Sequence, residues 1–320
     1  MYRRVSAPID DTTESRVALE WAAALCLKSG CPLDLVHVVF PPSYGTELYG
    51  AVVIDHHTVQ ELREEAQRDL DAAVDAISAQ GVVAKAVMLE GVVPSALADY
   101  LRNSGTDLVV MTTHDRGRLE RLLLGSVSES VTRYAHVPVL LVRQHGADAA
   151  TETKPSVAIR RILVPLDGSE FSAQIVPHAT ALARLAEAEV TLLGVLHPSL
   201  AAAAALGAGP GPPPLVASGT GDAEDASEDV HVATERRLLE RVAQAMRDVG
   251  LRVNVVVDVH TQPARSIVEY ATAQAVDVIA MTTHGRGAVG RLVAGSVSTA
   301  VLRSSPTAML LYRPDPETHP

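Results

Sequence analysis

The chain has 320 residues, a hydrophobic share of 47% and a net charge of −11. This length exceeds most single cores and predicts two domains. The acidic balance excludes a general nucleic-acid binder, which would carry basic charge, though it leaves room for a local basic pocket.

Taken in chain order, RRVSAPI (3–9) predicts a strand, and TESRVALEWAAALCLKSG (13–30) predicts a helix stopped by Gly30. PLDLVHVVF (32–40) shows almost no polar alternation, as expected of a strand covered on both faces. His56-His57 falls in a variable loop, and 58–80 forms a charged amphipathic helix that ends before Gly81. VVAKAVML (82–89) is a strand, and VPSALADYLRNSG (93–105) a helix with Pro94 in its first turn. DLVVMTT (107–113) is a strand, LERLLLGSVSESVTRYA (119–135) a helix, and PVLLV (138–142) a last strand. Strict strand–helix alternation implies an α/β fold: a parallel, doubly wound sheet with helices on both faces.

The unit is written twice. RRVSAPIDDT (3–12) returns as RRILVPLDGS (160–169), and DLVVMTTHDRGRLERLLLGSVSESV (107–131) returns as DVIAMTTHGRGAVGRLVAGSVSTAV (277–301). VPVLLVR (137–143) matches SPTAMLLYR (305–313). Two tandem doubly wound domains are expected, each with a five-stranded parallel sheet, at 1–146 and 158–314, with a linker at 147–157. The second copy differs at 197–229, a Gly/Pro/Ala-rich and then acidic tract. It predicts a flexible surface loop; the alternative is a lid, because the tract leaves from the carboxyl end of a strand.

No apolar run approaches the ~20 residues of a membrane span, and the first residues, MYRRVSAPIDD, lack the apolar core of a secretion signal. The two cysteines, Cys26 and Cys31, make neither a disulfide framework nor a complete zinc site. A cytoplasmic protein is expected, with no membrane or nucleic-acid partner and with Cys26 a small apolar helix residue.

Gly285, Gly287 and Gly290 spell G-x-G-x-x-G, the pattern of a dinucleotide-binding turn. They follow the fourth strand of the copy, however, and a Rossmann turn follows the first, with an acid about 20 residues on that is missing here. The first copy reads DRGRLE at this place and lacks two of the glycines. No G-x-x-x-x-G-K-[ST] loop and no G-x-S-x-G elbow occurs. Both copies do keep a glycine followed by serines at a helix start: Gly125-Ser126-x-Ser128 and Gly295-Ser296-x-Ser298. Backbone N–H groups at such a turn hold phosphate oxygens, glycine admits close approach, and hydroxyls add donors. The alternative is a serine-capped helix start with nothing bound. His114 and His284 lack metal-ligand spacing and read as loop residues near the phosphates, so no metal site is expected.

With these motifs the sequence resembles two tandem universal stress protein domains over nearly all of its length. ATP-binding members of that family carry G-x2-G-x9-G-[ST] after the fourth strand. The matching positions are Thr282, Gly285, Gly295 and Ser296 in the second copy and Thr112, Asp115, Gly125 and Ser126 in the first. One glycine is replaced in the second copy and two in the first. The family's Pro-x-Asp at the end of strand one is met by Pro8/Asp10 and Pro165/Asp167, and the resemblance places that Asp at the adenosine end. Val38 and Val195, with Met111 and Met281, match positions that line the adenine pocket. The resemblance thus implies ATP binding, with or without Mg²⁺, the phosphates meeting His284, Arg286, Val297 and Ser298, or Val127 and Ser128 in the first copy. Arg286 and Arg291, and Arg116, Arg118 and Arg121, stand where they can offset phosphate charge. Asp115 opposes a polyphosphate unless a cation or arginine compensates, so the second copy is expected to bind better.

The implied function is an ATP-binding stress-response sensor or regulator with a protein partner still to be named. A slow ATPase or nucleotidyl or phosphoryl transferase, and an interaction module with vestigial pockets, stand as alternatives. Family domains pair edge to edge through their last strands, so 137–143 and 305–313 are expected to pair within the chain as a pseudo-dimer, with a homodimer as a further step.

Overall fold

A computed structural model of the chain describes residues 2–10, 12–39, 56–112, 126–143, 157–198, 222–283 and 296–314. In chain order the first repeat supplies β1 (Val5–Pro8), α1 (Thr13–Ser29), β2 (Leu33–Val39), α2 (His56–Ser78), β3 (Ala84–Glu90), α3 (Val93–Asn103), β4 (Leu108–Thr112), α4 (Ser126–Tyr134) and β5 (Val139–Val142). The second supplies β6 (Arg161–Leu166), α5 (Glu170–Ala173), α6 (Val176–Ala186), β7 (Glu189–Leu196), α7 (Asp222–Asp248), β8 (Val253–Val259), α8 (Pro263–Ala273), β9 (Val278–Thr282), α9 (Ser296–Ser304) and β10 (Ala308–Tyr312).

The chain forms two compact units, Met1–Ala158 with Ala308–Pro320, and Ile159–Thr307. In the first the strand order is β3-β2-β1-β4-β5, with all four pairs parallel. That is the doubly wound order, with its switch point between β1 and β4. β10 lies antiparallel on β5 in the same unit, Met309 opposite Leu141 and Leu311 opposite Val139, so the backbone groups of β5 are paired on both sides. In the second unit the order is β8-β7-β6-β9, again parallel.

The burial of each strand follows its place. β4 and β9 are buried along their whole length, which is why both read as continuous apolar runs. The edge strands β3 and β8 are mostly half-buried. The aspartate that opens each fourth strand fixes register: Asp107 accepts from the backbone N–H groups of Arg3 (2.8 Å) and Arg4 (3.1 Å), and Asp277 from those of Arg160 (2.7 Å) and Arg161 (2.9 Å). The repeated Arg-Arg and Asp are therefore one clamp between the first and fourth strands.

At the amino end of the first sheet, the fully buried Asp34 accepts from Arg4 Nη1 at 2.9 and 3.1 Å and from the Tyr100 hydroxyl at 2.6 Å. Lys85 Nζ stands 3.6 Å away. Burial, then the hydrogen bond to Asp34, pushes the Tyr100 phenol up. By register, Thr191 holds the matching place in the second unit.

Three local readings change. The second repeat breaks its first helix into α5 and α6, where the first repeat has one continuous α1. Pro177 lies in the first turn of α6; within a continuous helix it would lack a donor and clash with the preceding turn. Helix α2 begins at His56, so His56-His57 belong to a helix and not to a loop. Helix α7 begins at Asp222, inside the span 197–229 expected to be a loop. Residues 199–221, most of the linker, and 119–125 of the predicted helix lie outside the described residues. Among the described residues no helix is long and apolar enough to cross a membrane.

Candidate functional site

In each unit the carboxyl ends of the first, second and fourth strands meet at the switch point, where a doubly wound sheet offers a crevice. Pro8 and Asp10, Val38, and Met111 with Thr112 stand at these ends in the first unit; Pro165 and Asp167, Val195, and Met281 with Thr282 stand there in the second. Met111, Thr112, Met281 and Thr282 are buried, while Val38 and Val195 are half-buried.

The aspartates are held by a repeated turn. Asp167 Oδ1 accepts from the Ser169 backbone N–H at 3.0 Å and from the Ser169 hydroxyl at 2.6 Å. Ser169 in turn caps α5, accepting from the Ser172 N–H at 3.0 Å, and the Ser172 hydroxyl donates to the Ser169 carbonyl at 3.0 Å. In the first unit Asp10 Oδ1 accepts from the N–H (3.1 Å) and hydroxyl of Thr12. Thr12 caps α1, and the Ser15 hydroxyl donates to the carbonyls of Asp10 and Thr12, each at 2.8 Å. Sequence reasoning singled out only the aspartates. Their partners carry the signal D-x-[ST]-x-x-S, legible in both copies at 10–15 and 167–172.

Burial alone would push the Asp167 carboxyl up; the hydroxyls of Ser169 and Ser172, with backbone donors, outweigh it and hold the carboxyl below its ordinary value. An ionised acceptor thus faces the crevice, able to take a hydrogen bond from a ribose hydroxyl or a base amine.

A second carboxylate reaches this place from α7. A Cβ on Gly168 would lie 3.8 Å from Glu235 Oε2, and one on Gly194 would lie 3.0 Å from Glu235 Cγ and 3.1 Å from Leu239 Cδ1. Burial, and then the charge of Asp167, push the Glu235 carboxyl up. Strand register puts Pro8 opposite Val36 and Pro165 opposite Leu193, so Gly194 matches His37 of the first unit. There the first unit carries a half-buried His37, its Nδ1 3.1 Å from the Ile9 carbonyl oxygen. Counted back from Gly81 and Gly250, Glu235 matches Ala66. The two crevices thus exchange a large–small pair for a small–large one. No sequence signal marked Glu235, because its counterpart is an alanine.

Beyond the fourth strands, α4 opens at Ser126 and α9 at Ser296. Ser296 is exposed, Val127 and Val297 are half-buried, and Ser128 and Ser298 are buried. The Ser128 hydroxyl donates to the Thr112 carbonyl at 3.1 Å, tying the first turn of α4 to the end of β4. Gly125, Asp115, His114, Arg116, Arg118 and Arg121, and likewise His284, Gly285, Arg286, Gly287, Gly290, Arg291 and Gly295, lie outside the described residues. The described residues thus place a carboxylate held by hydroxyl donors, a half-buried valine and a buried methionine at these strand ends, with a helix start following each fourth strand. Among the described residues no cluster of three or more His, Cys, Asp or Glu side chains is placed to hold a metal ion.

A sequence model of the universal stress protein family matches residues 1–143 and 158–313. A universal stress protein of Mycolicibacterium smegmatis is 28% identical over 315 residues, 96% of this chain and 95% of its own length. Among solved structures, a universal stress protein from Archaeoglobus fulgidus is similar with a TM-score of 0.67 at 19% identity, over 98% of this chain and 97% of its own. Another, solved in complex with cAMP, matches 49% of this chain and 98% of its own at 19% identity and a TM-score of 0.35.

Proposed function

Since this chain belongs to the universal stress protein family over both of its halves, we propose that it binds ATP, with or without Mg²⁺, at the switch-point crevice of its second unit. It acts as a stress-response regulator whose nucleotide state is read by a protein partner, not as a dedicated catalyst. The observation that carries this reading is Asp167, a carboxylate held ionised by Ser169 and Ser172 at the strand end where Val195 and Met281 also stand. An adenosine supplies hydroxyl and amine donors for that carboxylate and an apolar face for the side chains around it. Ser296, exposed at the start of the nine-residue α9, adds a donor on the phosphate side.

Mass spectrometry of the purified protein after denaturation tests the reading. Release of adenine nucleotide supports it; absence of nucleotide, together with no heat on titration with ATP, overturns it. A single-turnover assay with labelled ATP tests the regulatory part. Hydrolysis abolished by one substitution in the crevice, such as Ser296→Ala, would make the protein an enzyme.

A further inference from the structure

Cys26 lies in the last turns of α1, and Cys31 stands just before β2. Residues five apart on a continuing helix would point about 140° away from one another, at ~3.6 residues per turn. Here Gly30 ends the helix in the left-handed conformation (φ 69°), its N–H bonding the Cys26 carbonyl at 2.8 Å, and the chain folds back. The result is a contact of 3.5 Å between the two sulfurs, both in buried residues. The Ser29 hydroxyl stands 3.0 Å from Cys31 Sγ and 2.9 Å from the Leu25 carbonyl, so its proton can turn to the sulfur when that sulfur ionises.

The second repeat shows that the fold does not need cysteine here. Glu187 takes the place of Gly30, with the same left-handed backbone (φ 59°), and brings together Ala183 and Ala188, both buried. Two alanines fill the turn that two thiols fill in the first repeat, so the pair is a chemical addition to a shared frame. The turn lies at the amino ends of the strands, at the other end of the sheet from the crevice.

We propose that Cys26 and Cys31 form a reactive dithiol that reduces a small peroxide and closes to an intramolecular disulfide. The Cys31 thiolate attacks one peroxide oxygen; the O–O bond breaks, the leaving oxygen departs protonated as water or an alcohol, and Cys31 becomes a sulfenic acid. The Cys26 sulfur then attacks the Cys31 sulfur; the S–S bond forms, the S–O bond breaks, and hydroxide leaves with the Cys26 proton as water. Two thiols are oxidised by two electrons and one peroxide is reduced. The sulfurs close from 3.5 Å to about 2.05 Å.

The roles follow from the environment. The hydrogen bond between the two sulfurs, in which Cys26 donates once Cys31 has ionised, brings the Cys31 thiol down to about 7 against the effect of burial, with Ser29 helping. The same hydrogen bond, with burial, pushes Cys26 up, so it stays protonated until it is called on as the resolving thiol. Cys31 keeps 6% of its surface exposed against 2% for Cys26, so Cys31 is the sulfur nearer solvent and the oxidant has to be as small as hydrogen peroxide.

The full-length protein is treated with hydrogen peroxide, capped with N-ethylmaleimide in denaturant, and digested with trypsin, which cuts after Arg16, Lys28 and Arg63. The expected product is peptide 17–28 joined to peptide 29–63, about 2 Da lighter than their sum and split by dithiothreitol. In Cys26→Ala, which copies Ala183, Cys31 should accumulate as sulfenic or sulfinic acid, about 16 or 32 Da heavier. In Cys31→Ala peroxide consumption should fall at least tenfold. Unlinked peptides from treated wild-type protein, links only between molecules, or wild-type consumption in Cys31→Ala would each overturn the proposal.

Discussion

Gly194 and Glu235 fit one another so closely that neither position tolerates a larger neighbour: a Cβ on Gly194 would stand 3.0 Å from Glu235 Cγ and 3.2 Å from its Oε1. At the matching positions the first unit carries His37 on the strand and Ala66 on the helix. The two crevices therefore share a frame and differ in the groups that wall them.

The contact makes a double-mutant cycle informative. Gly194→Val overfills the site and should cost about 1–3 kcal/mol, and Glu235→Ala should return part of that loss when the two are combined. Urea midpoints of the four proteins measure the coupling. Strictly additive changes would show that the side chains do not compete for one space.

Nucleotide affinity should follow the second crevice. Asp167→Ala removes a charged acceptor and should weaken ATP binding by about tenfold or more, while Asp10→Ala should leave the stronger site unchanged. Gly295→Ala and Gly125→Ala should differ in the same sense, because the first copy carries Asp115 where the second carries Gly285. Calorimetric titration of each variant checks this; equal losses from the two copies would contradict it.

Asp34 is a buried charge whose partners are Arg4, Tyr100 and Lys85. Arg4→Met removes two hydrogen bonds and the nearer cation, leaving Lys85 at 3.6 Å and the Tyr100 hydroxyl, and should destabilise the first unit by up to about 3 kcal/mol. Replacing both partners, as in Arg4→Met with Asp34→Leu, should recover much of the loss. Chemical denaturation of the single and double variants tests whether the desolvated charge, and not lost packing, sets the cost.

Stability should also depend on pH through two groups of opposite sign. Burial lowers His178 to about 4 in the folded chain, below the ordinary ~6.5. Between those values the unfolded chain holds a proton that the folded chain refuses, so stability falls as pH drops through this window and is flat above it. The loss reaches about 3 kcal/mol, and His178→Gln should remove it. The Glu235 carboxyl is raised, so the folded chain holds its proton longer than the unfolded one. Stability is then lost as pH rises through that window, and Glu235→Gln should be the more stable protein at pH 7, with the difference gone in acid. Thermal melts across pH 4–8 separate the two.

The alternation of elements, the repeat and the switch point were legible in the sequence because each rests on local periodicity. Continuous apolar runs such as Leu108–Thr112 announce a strand covered on both faces, and Pro94 and Gly30 mark a helix start and stop. Within the site, Asp10 and Asp167 were found through their repeated context. Their locking groups, Thr12 and Ser15 with Ser169 and Ser172, carried a pattern that went unread beside the stronger glycine motifs.

By itself, then, the sequence determined a duplicated, doubly wound α/β protein with paired aspartates at the ends of its first strands, since period and repetition are properties of neighbours in the chain. Tertiary structure decided what no period encodes. It brought Glu235 over Gly194, set Arg4 and Tyr100 on Asp34, and turned Cys31 back on Cys26. Each of these depends on backbone segments meeting at a distance or on a single left-handed residue. A pattern in one dimension places residues on a face, and only packing decides which faces touch.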